Sequence, residues 1–248
     1  MLWQKAWLES RPRFLISATV VCGACLGIVL FQNAIRARVG APNGPLSTYI
    51  GYIHKVVYSG GFSALCKILI LTLGLGGLLH EQEQGTTGFT LALPARRWQL
   101  VAVRASVGLL EMVALAVTPA LLIPTMSPLV HQSYPFSQAI QFSLLWIAAG
   151  ALLFATSFLL STVVAGQYTA FLIAWILLVF HTLVAAMRSL RPYRLNINHL
   201  TGGLGLPYFD PQDAMLTGRL PWIRLSIMLM LALLLLVAAA RITERRDF

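Results

Sequence analysis

Charged residues are scarce in this chain. Only 10% of its 248 residues are Asp, Glu, Lys or Arg, whereas a soluble domain carries about 25%. With 58% hydrophobic residues and a mean hydropathy of +0.76, the chain lacks the polar side chains that coat a soluble surface. This composition excludes an ordinary soluble domain and favours a protein that lies in a lipid bilayer.

Acidic residues are especially few, since 8 Asp and Glu accompany 18 Lys and Arg, which gives a formal net charge of +10. In a soluble protein such an excess suggests nucleic-acid binding. Here most basic residues flank apolar runs, where they meet anionic lipid headgroups. No motif interleaves aromatic and basic residues. We therefore expect the lipid bilayer as the partner of these residues, and no nucleic acid.

Recognisable chemical motifs are also absent. Cys22 and Cys25 form a C-x-x-C spacing inside an apolar run, whereas redox and metal motifs of that spacing need solvent access. The sequence contains no G-x-x-x-x-G-K-[ST] phosphate loop, since the Gly-rich "GGLGLP" at Gly202 lacks the lysine. No Ser-His-Asp or paired-carboxylate arrangement is legible. We expect no metal site, no cofactor on this chain and no enzymatic activity.

Long apolar runs are what the chain contains instead. A helix that crosses a bilayer needs about 20 mostly apolar residues. Runs of this kind lie at about 14–31, 61–79, 100–123, 139–160, 168–187 and 222–240. No small-residue cleavage site follows Phe31, so the first run is a retained transmembrane helix rather than a signal peptide. The sequence predicts an all-α membrane protein with a single transmembrane domain over residues 1–248.

The first residues, "MLWQKAWLESRPRF", predict a short helix before the first run. Leu2, Trp3, Ala6 and Trp7 recur at helical spacing, which is typical of an amphipathic helix lying at the membrane interface. Pro12 would then allow a turn into the membrane. A frayed terminus is the alternative.

The orientation of the chain is predicted from its basic residues. Their count near the ends of the runs is equal on the two sides, but the loop 124–138 contains no Lys or Arg, which favours an external position. Both termini are then cytoplasmic, and the long stretch 188–221 faces outward. Within that stretch, "DPQDAMLTG" is compatible with a short helix that begins at Asp210.

A polar stretch, "HEQEQGTTGFTLALPARRWQL", separates the second and third runs on the predicted cytoplasmic side. Two carboxylates stand near the start of a short helix, where the helix dipole favours negative charge. Leucines give the helix an apolar side. Pro94 ends it, because the residue before a proline is pushed out of helical geometry. Two adjacent arginines mark the return to the membrane.

The pattern E-x-E-x-G-T followed by L-x-L-P-x-R-R resembles the cytoplasmic segment between the second and third spans of ABC-2 type transporter permeases. The matching residues are Glu81, Glu83, Gly85, Thr86, Leu91, Leu93, Pro94, Arg96 and Arg97. The six runs, the helix before the first run and the basic tail "ERRDF" from Glu244 resemble the layout of the same family.

The resemblance implies a permease subunit of an ATP-driven ABC exporter, in a bacterial cytoplasmic membrane. The segment 81–97 would be the coupling helix, which sits in a groove of a separate ATP-binding subunit. ATP and Mg would be bound by that subunit. A second permease copy, or a homologue, would complete the transport path at the interface.

Three charged residues lie inside the predicted spans: Lys67 in the second, and Arg104 and Glu111 in the third. Each costs about 2.5–3.5 kcal/mol at a helix centre, so each should face protein or water. Arg104 and Glu111 share a helix face, two turns apart. One interpretation is a polar patch along a substrate path or subunit interface. The other is structural, with Lys67 paired to Glu111 and Arg104 extending to the headgroups.

Two other functions remain open at this stage. The chain could be a structural or accessory subunit of a larger membrane complex without transport. An intramembrane enzyme would need polar residues clustered at one depth on several spans, and the sequence shows only scattered ones.

Overall fold

The computed structural model describes residues 2–39, 48–75, 97–164, 166–187, 197–204, 209–210, 213–218 and 220–245. The α-helices are α1 (Leu2–Leu30), α2 (Gln32–Val39), α3 (Tyr49–Ile53), α4 (Gly61–Leu73), α5 (Arg97–Met126), α6 (Phe136–Val163), α7 (Gln167–Ala186), α8 (Ile197–Thr201) and α9 (Trp222–Arg245). A π-helical turn (His54–Tyr58) follows α3, and a 3-10 turn (Ser127–Val130) follows α5. Strands β1 (Phe209–Asp210) and β2 (Met215–Leu216) pair antiparallel.

Six helical stretches are long and apolar enough to cross a membrane. They are Leu2–Leu30, Tyr49–Leu73, Trp98–Val130, Phe136–Val163, Tyr168–Ala186 and Trp222–Arg245. Each overlaps one of the six apolar runs of the sequence, so the predicted all-α membrane fold is confirmed. The chain is an integral membrane protein whose outer helices meet the lipid bilayer.

The N-terminal segment differs from its prediction. Helix α1 continues through Pro12 as one helix of 29 residues, so the expected turn at Pro12 is wrong. A helix of this length spans about 43 Å at 1.5 Å per residue, well beyond the roughly 30 Å hydrocarbon core. The proline is tolerated because Glu9 and Ser10, just before it, bind side chains of α5 and hold the segment in line.

The second span begins earlier than predicted, at Tyr49 rather than near Gly61. Thr48 caps α3 by accepting a hydrogen bond from the Gly51 amide at 3.2 Å. The π-helical turn continues the path until Ser59 and Gly60 separate it from α4. A Cβ at Gly60 would lie 2.4 Å from the Lys55 carbonyl oxygen, so only glycine lets the backbone pass this turn.

Helix α6 is the centre of the bundle. It packs against α4, α5, α7 and α9, and its small residues allow close approach. These buried small residues are Ala148, Ala149, Gly150, Ala151 and Ala155. By contrast, α7 and α9 expose many large aliphatic side chains, as expected for helices that face lipid.

Both chain ends meet the start of α5. Leu2 and Lys5 line one small cavity with Leu100. Trp98 lines another cavity with Glu244, near the end of α9. We call this end of the bundle, marked by Leu2, Trp98 and Glu244, the base. An even number of spans accounts for the arrangement, because it returns the chain to the side on which it began.

The connection between α7 and α9 packs into the bundle. Gln138 of α6 donates from Nε2 to the Leu216 carbonyl at 2.8 Å and accepts from the Leu216 amide at 2.9 Å. These two bonds hold β2 in an extended conformation, in which Met215–Leu216 pairs with Phe209–Asp210. The prediction of a helix that begins at Asp210 is therefore wrong. Trp146 of α6 makes a further bond to this connection, because it donates to the Thr201 carbonyl at 3.1 Å.

Candidate functional site

The predicted coupling segment falls almost entirely outside the described residues. Those predicted site residues are Glu81, Glu83, Gly85, Thr86, Leu91, Leu93, Pro94 and Arg96. Arg97, the last of the predicted set, is the first residue of α5. The structure does describe the chain on both sides of this segment, from Leu75 before it to α5 after it.

Side chains from two neighbouring helices fix the chain where it leaves α4. Arg13 of α1 donates from Nη1 to the carbonyl of Leu75. Ser161 of α6 donates to the carbonyl of Gly74 at 3.3 Å. The last carbonyls of a helix have no partner within the helix, so these donors satisfy groups that would otherwise be left unpaired. The exit toward the coupling segment is therefore held by α1 and α6.

Arg104 forms an ion pair with the N-terminal part of α1. Its Nη2 lies 2.8 Å from Oε2 of Glu9, and Lys5 lies 3.6 Å from the other carboxylate oxygen. The Arg104 side chain is only 12% exposed, whereas that of Glu9 is 40% exposed. Arg104 is thus satisfied by a carboxylate on a neighbouring helix. The observed partner of Arg104 is therefore Glu9, and not the lipid headgroup that the structural interpretation predicted.

Glu111 is buried in the contact between α1 and α5. It is 2% exposed, and Oε1 accepts a 2.5 Å hydrogen bond from the hydroxyl of Ser10. The positive charge of Arg13 acts on the same carboxylate. Oε2 is buried without a hydrogen-bond partner among the described residues. Burial of a carboxylate in a span is tolerated here because a hydroxyl and a cation accompany it.

Together these side chains form what we call the α1–α5 polar cluster, which consists of Lys5, Glu9, Ser10, Arg13, Arg104 and Glu111. Arg104 and Glu111 face α1 from the same side of α5, as their spacing predicts. They lie about 10 Å apart along the helix, so the cluster is a seam rather than one pocket. Through hydrogen bonds and an ion pair, the cluster joins the N-terminal part of α1 to the end of α4 and to the first half of α5.

Lys67 lies elsewhere and has a different partner from the one predicted. It is 7% exposed and donates to Oδ1 of Asn198 in α8. Asn198 in turn donates from Nδ2 to the hydroxyl of Thr182 at 3.2 Å. The expected pair between Lys67 and Glu111 is therefore wrong. The reason is that α8 folds back into the bundle and brings an amide oxygen to Lys67.

Sequence reasoning missed the partners rather than the charged residues. Glu9 and Arg13 are spaced i,i+4 and therefore share a face of α1, which is a usable signal for a contact with another helix. The expected turn at Pro12 removed that face from consideration. Asn198 has no sequence signal, because it belongs to the connection between α7 and α9, whose path depends on tertiary packing.

Metal chemistry finds no support in the described part of the chain. No group of three or more His, Cys, Asp and Glu side chains there could hold a metal ion. Cys22, Cys25 and Cys66 are free thiols, and the last two are buried.

The chain was also compared with known proteins. No protein-family model matches it, and no curated protein matches it. The membrane-spanning helical architecture described above is therefore the established property of the chain.

Proposed function

We propose that this chain is the membrane-spanning permease subunit of an ABC-2 type exporter, in a bacterial cytoplasmic membrane. The segment 81–97 docks on a separate ATP-binding subunit, which binds ATP and Mg and performs the hydrolysis. Two permeases, identical or homologous, form the transport path at their interface. Both termini face the cytoplasm.

The layout of the bundle supports this proposal. Six helices are long and apolar enough to span a membrane, and both chain ends meet the start of α5 at the base. The segment 76–96 enters α5 at that same end. A subunit that docks on this segment would therefore also lie beside both termini.

The α1–α5 polar cluster is the observation that carries the mechanism. A displacement of the coupling segment moves the spans only if both ends of the segment are firmly bound to them. On one side, Arg13 and Ser161 hold the carbonyls of Leu75 and Gly74. On the other side, the segment runs directly into α5. Helix α5 is bound to α1 by the ion pair between Arg104 and Glu9.

The coupling mechanism follows from these joints. Movement of the segment 81–97 shifts the end of α4 and the start of α5 at the same time. Because the polar cluster ties both to α1, and Ser161 ties the end of α4 to α6, a displacement of the segment reaches all four helices. Polar joints with defined geometry transmit such a displacement.

Affinity purification of the tagged chain from its native membrane in a mild detergent or nanodisc tests the function. We expect a stoichiometric partner with a phosphate-binding loop and ATPase activity. Glu83→Lys should reduce recovery of that partner, because it reverses a charge in the proposed contact. Arg38→Glu, a charge reversal in α2 on the side away from the base, should leave recovery unchanged.

Two outcomes would count against the proposal. A stable complex without any ATPase would favour the accessory-subunit alternative. Equal recovery of an ATPase by the Glu83→Lys variant and the parent chain would remove the segment 81–97 from the contact.

A further inference from the structure

An open apolar groove runs between α5 and α9 at the base of the bundle. Its volume is about 520 Å³. Small side chains form its floor, chiefly Ala102, Ala105 and Ser106 of α5 and Ala240 of α9. Larger apolar residues, Leu109 and Leu233, stand at the end farther from the base.

The length of the groove matches one leaflet of a bilayer. It extends from Trp98 to Leu109 along α5, which is about 16 Å at 1.5 Å per residue. The hydrocarbon core of a bilayer is roughly 30 Å thick, so one leaflet contributes about half of that. A groove that begins at the headgroups would therefore end near the middle of the membrane.

The end of the groove at the base carries charges of both signs. Arg241 and Glu244 line it one helical turn apart. Neither has an ion-pair partner among the described residues. Trp98 stands beside them, 42% exposed, at the depth where indole rings favour the headgroup region.

We propose that this groove binds one phospholipid with a zwitterionic amino headgroup, such as phosphatidylethanolamine. One acyl chain fills the apolar floor, the phosphate accepts hydrogen bonds from Arg241, and the ammonium group lies against Glu244. An anionic lipid without an amine would satisfy Arg241 and leave Glu244 facing a negative charge. The amino headgroup satisfies both residues.

The size of the groove suits a small ligand such as a lipid chain. Its volume falls within the roughly 300–1,000 Å³ that is typical of ligand sites.

Native mass spectrometry of the full chain tests this site. The delipidated protein is titrated with phosphatidylethanolamine, phosphatidylcholine and phosphatidylglycerol of equal chain length. We expect one phosphatidylethanolamine to be retained most strongly. Arg241→Gln should weaken that binding about fivefold, the usual contribution of one arginine at the membrane surface. Arg224→Gln, at the opposite end of α9, is the matched control and should bind as the parent does.

A second pair of variants tests the groove itself. Ala102→Phe places a ring in the groove from an exposed position, so it should abolish retention without disturbing the core. Leu121→Phe, at an exposed site farther along α5, should have no effect. The site is overturned if Ala102→Phe retains the lipid as the parent does. Preference for phosphatidylglycerol, or equal binding by Glu244→Gln and the parent, overturns the amino headgroup.

The proposal depends only on the membrane-spanning architecture and not on an ATP-binding partner. Loss of the lipid site would leave the permease proposal untouched, and the reverse also holds.

Discussion

Arg13 of α1 donates a hydrogen bond to the carbonyl of Leu75, the last described residue before the predicted coupling segment. A residue from the N-terminal segment thus holds the end of the second span. The same guanidinium acts on buried Glu111 of α5. One side chain of the first span therefore holds the end of the second span, near the point where the proposed partner subunit would act.

Arg13→Met tests this joint. The variant keeps much of the apolar stem and loses the donor and the charge, which leaves the Leu75 carbonyl without its donor. We expect the free energy of unfolding to fall by about 2 kcal/mol. Thermal unfolding in detergent with a thiol-reactive dye measures it, because Cys25 and Cys66 are buried until the bundle opens.

The neighbouring arginine provides the control for this variant. Arg11 is exposed two residues away on the same helix. Arg11→Met should leave the unfolding temperature unchanged. Equal effects of the two substitutions would show that the charge of the segment, and not the bond to Leu75, matters.

The ion pair between Glu9 and Arg104 is suited to a double-mutant cycle with Glu9→Gln and Arg104→Gln. Because Glu9 is 40% exposed, solvent screens the pair, and we expect a coupling energy of only about 0.5–1 kcal/mol. The same thiol-dye measurement gives the four stabilities. A cycle that combines Arg11→Gln with Arg104→Gln should show no coupling, and a coupling of zero for the first cycle would contradict the pair.

Gly108 sets the distance between α5 and α6. A Cβ at this position would lie 2.6 Å from the ring of Phe154, which is buried and stacked on Phe158. Gly108→Ala should therefore destabilise the bundle by about 1–3 kcal/mol through overpacking. Gly27→Ala in α1, where nothing lies within 4 Å of the added Cβ, should be neutral or stabilising by about 0.5–1 kcal/mol. Unfolding temperatures that order the two variants the other way would contradict this packing.

Gln138 anchors the short β-hairpin through both polar atoms of its amide. Gln138→Leu leaves the amide and carbonyl of Leu216 unpaired, so hydrogen exchange of residues 209–216 should become faster. Gln141 lies on the same helix, with a buried oxygen that has no partner in the described part of the chain. Gln141→Leu should leave exchange at the hairpin unchanged. Unaltered exchange in Gln138→Leu would mean that the hairpin is held by other contacts.

The spans could be predicted from the sequence because hydropathy and length decide them. Apolar runs such as 139–160 can only be buried in protein or lipid, and that requirement holds regardless of the tertiary arrangement. The overall class of fold follows from it. The ends of the spans were less predictable: Tyr49–Tyr58 contains polar residues, and only packing against α1 and α6 makes it part of the second span.

The partners of the charged residues could not be predicted, because they depend on how helices meet. Pro12 indicates a break by local rules, and contacts of Glu9 and Ser10 with α5 override it. Lys67 finds Asn198 only because the connection after α7 folds back into the bundle. A hairpin replaces the helix expected at Asp210 for a similar reason, since Gln138 supplies the bonds.

Site-specific photo-cross-linking from residue 83 in native membranes tests the central claim most directly. A photoreactive amino acid replaces Glu83, and a second variant carries it at Leu129, an exposed site in the turn after α5 on the side away from the base. We predict that position 83 captures a protein with a phosphate-binding loop and that position 129 does not. Capture of no ATPase from position 83, or equal capture from both positions, would contradict the account.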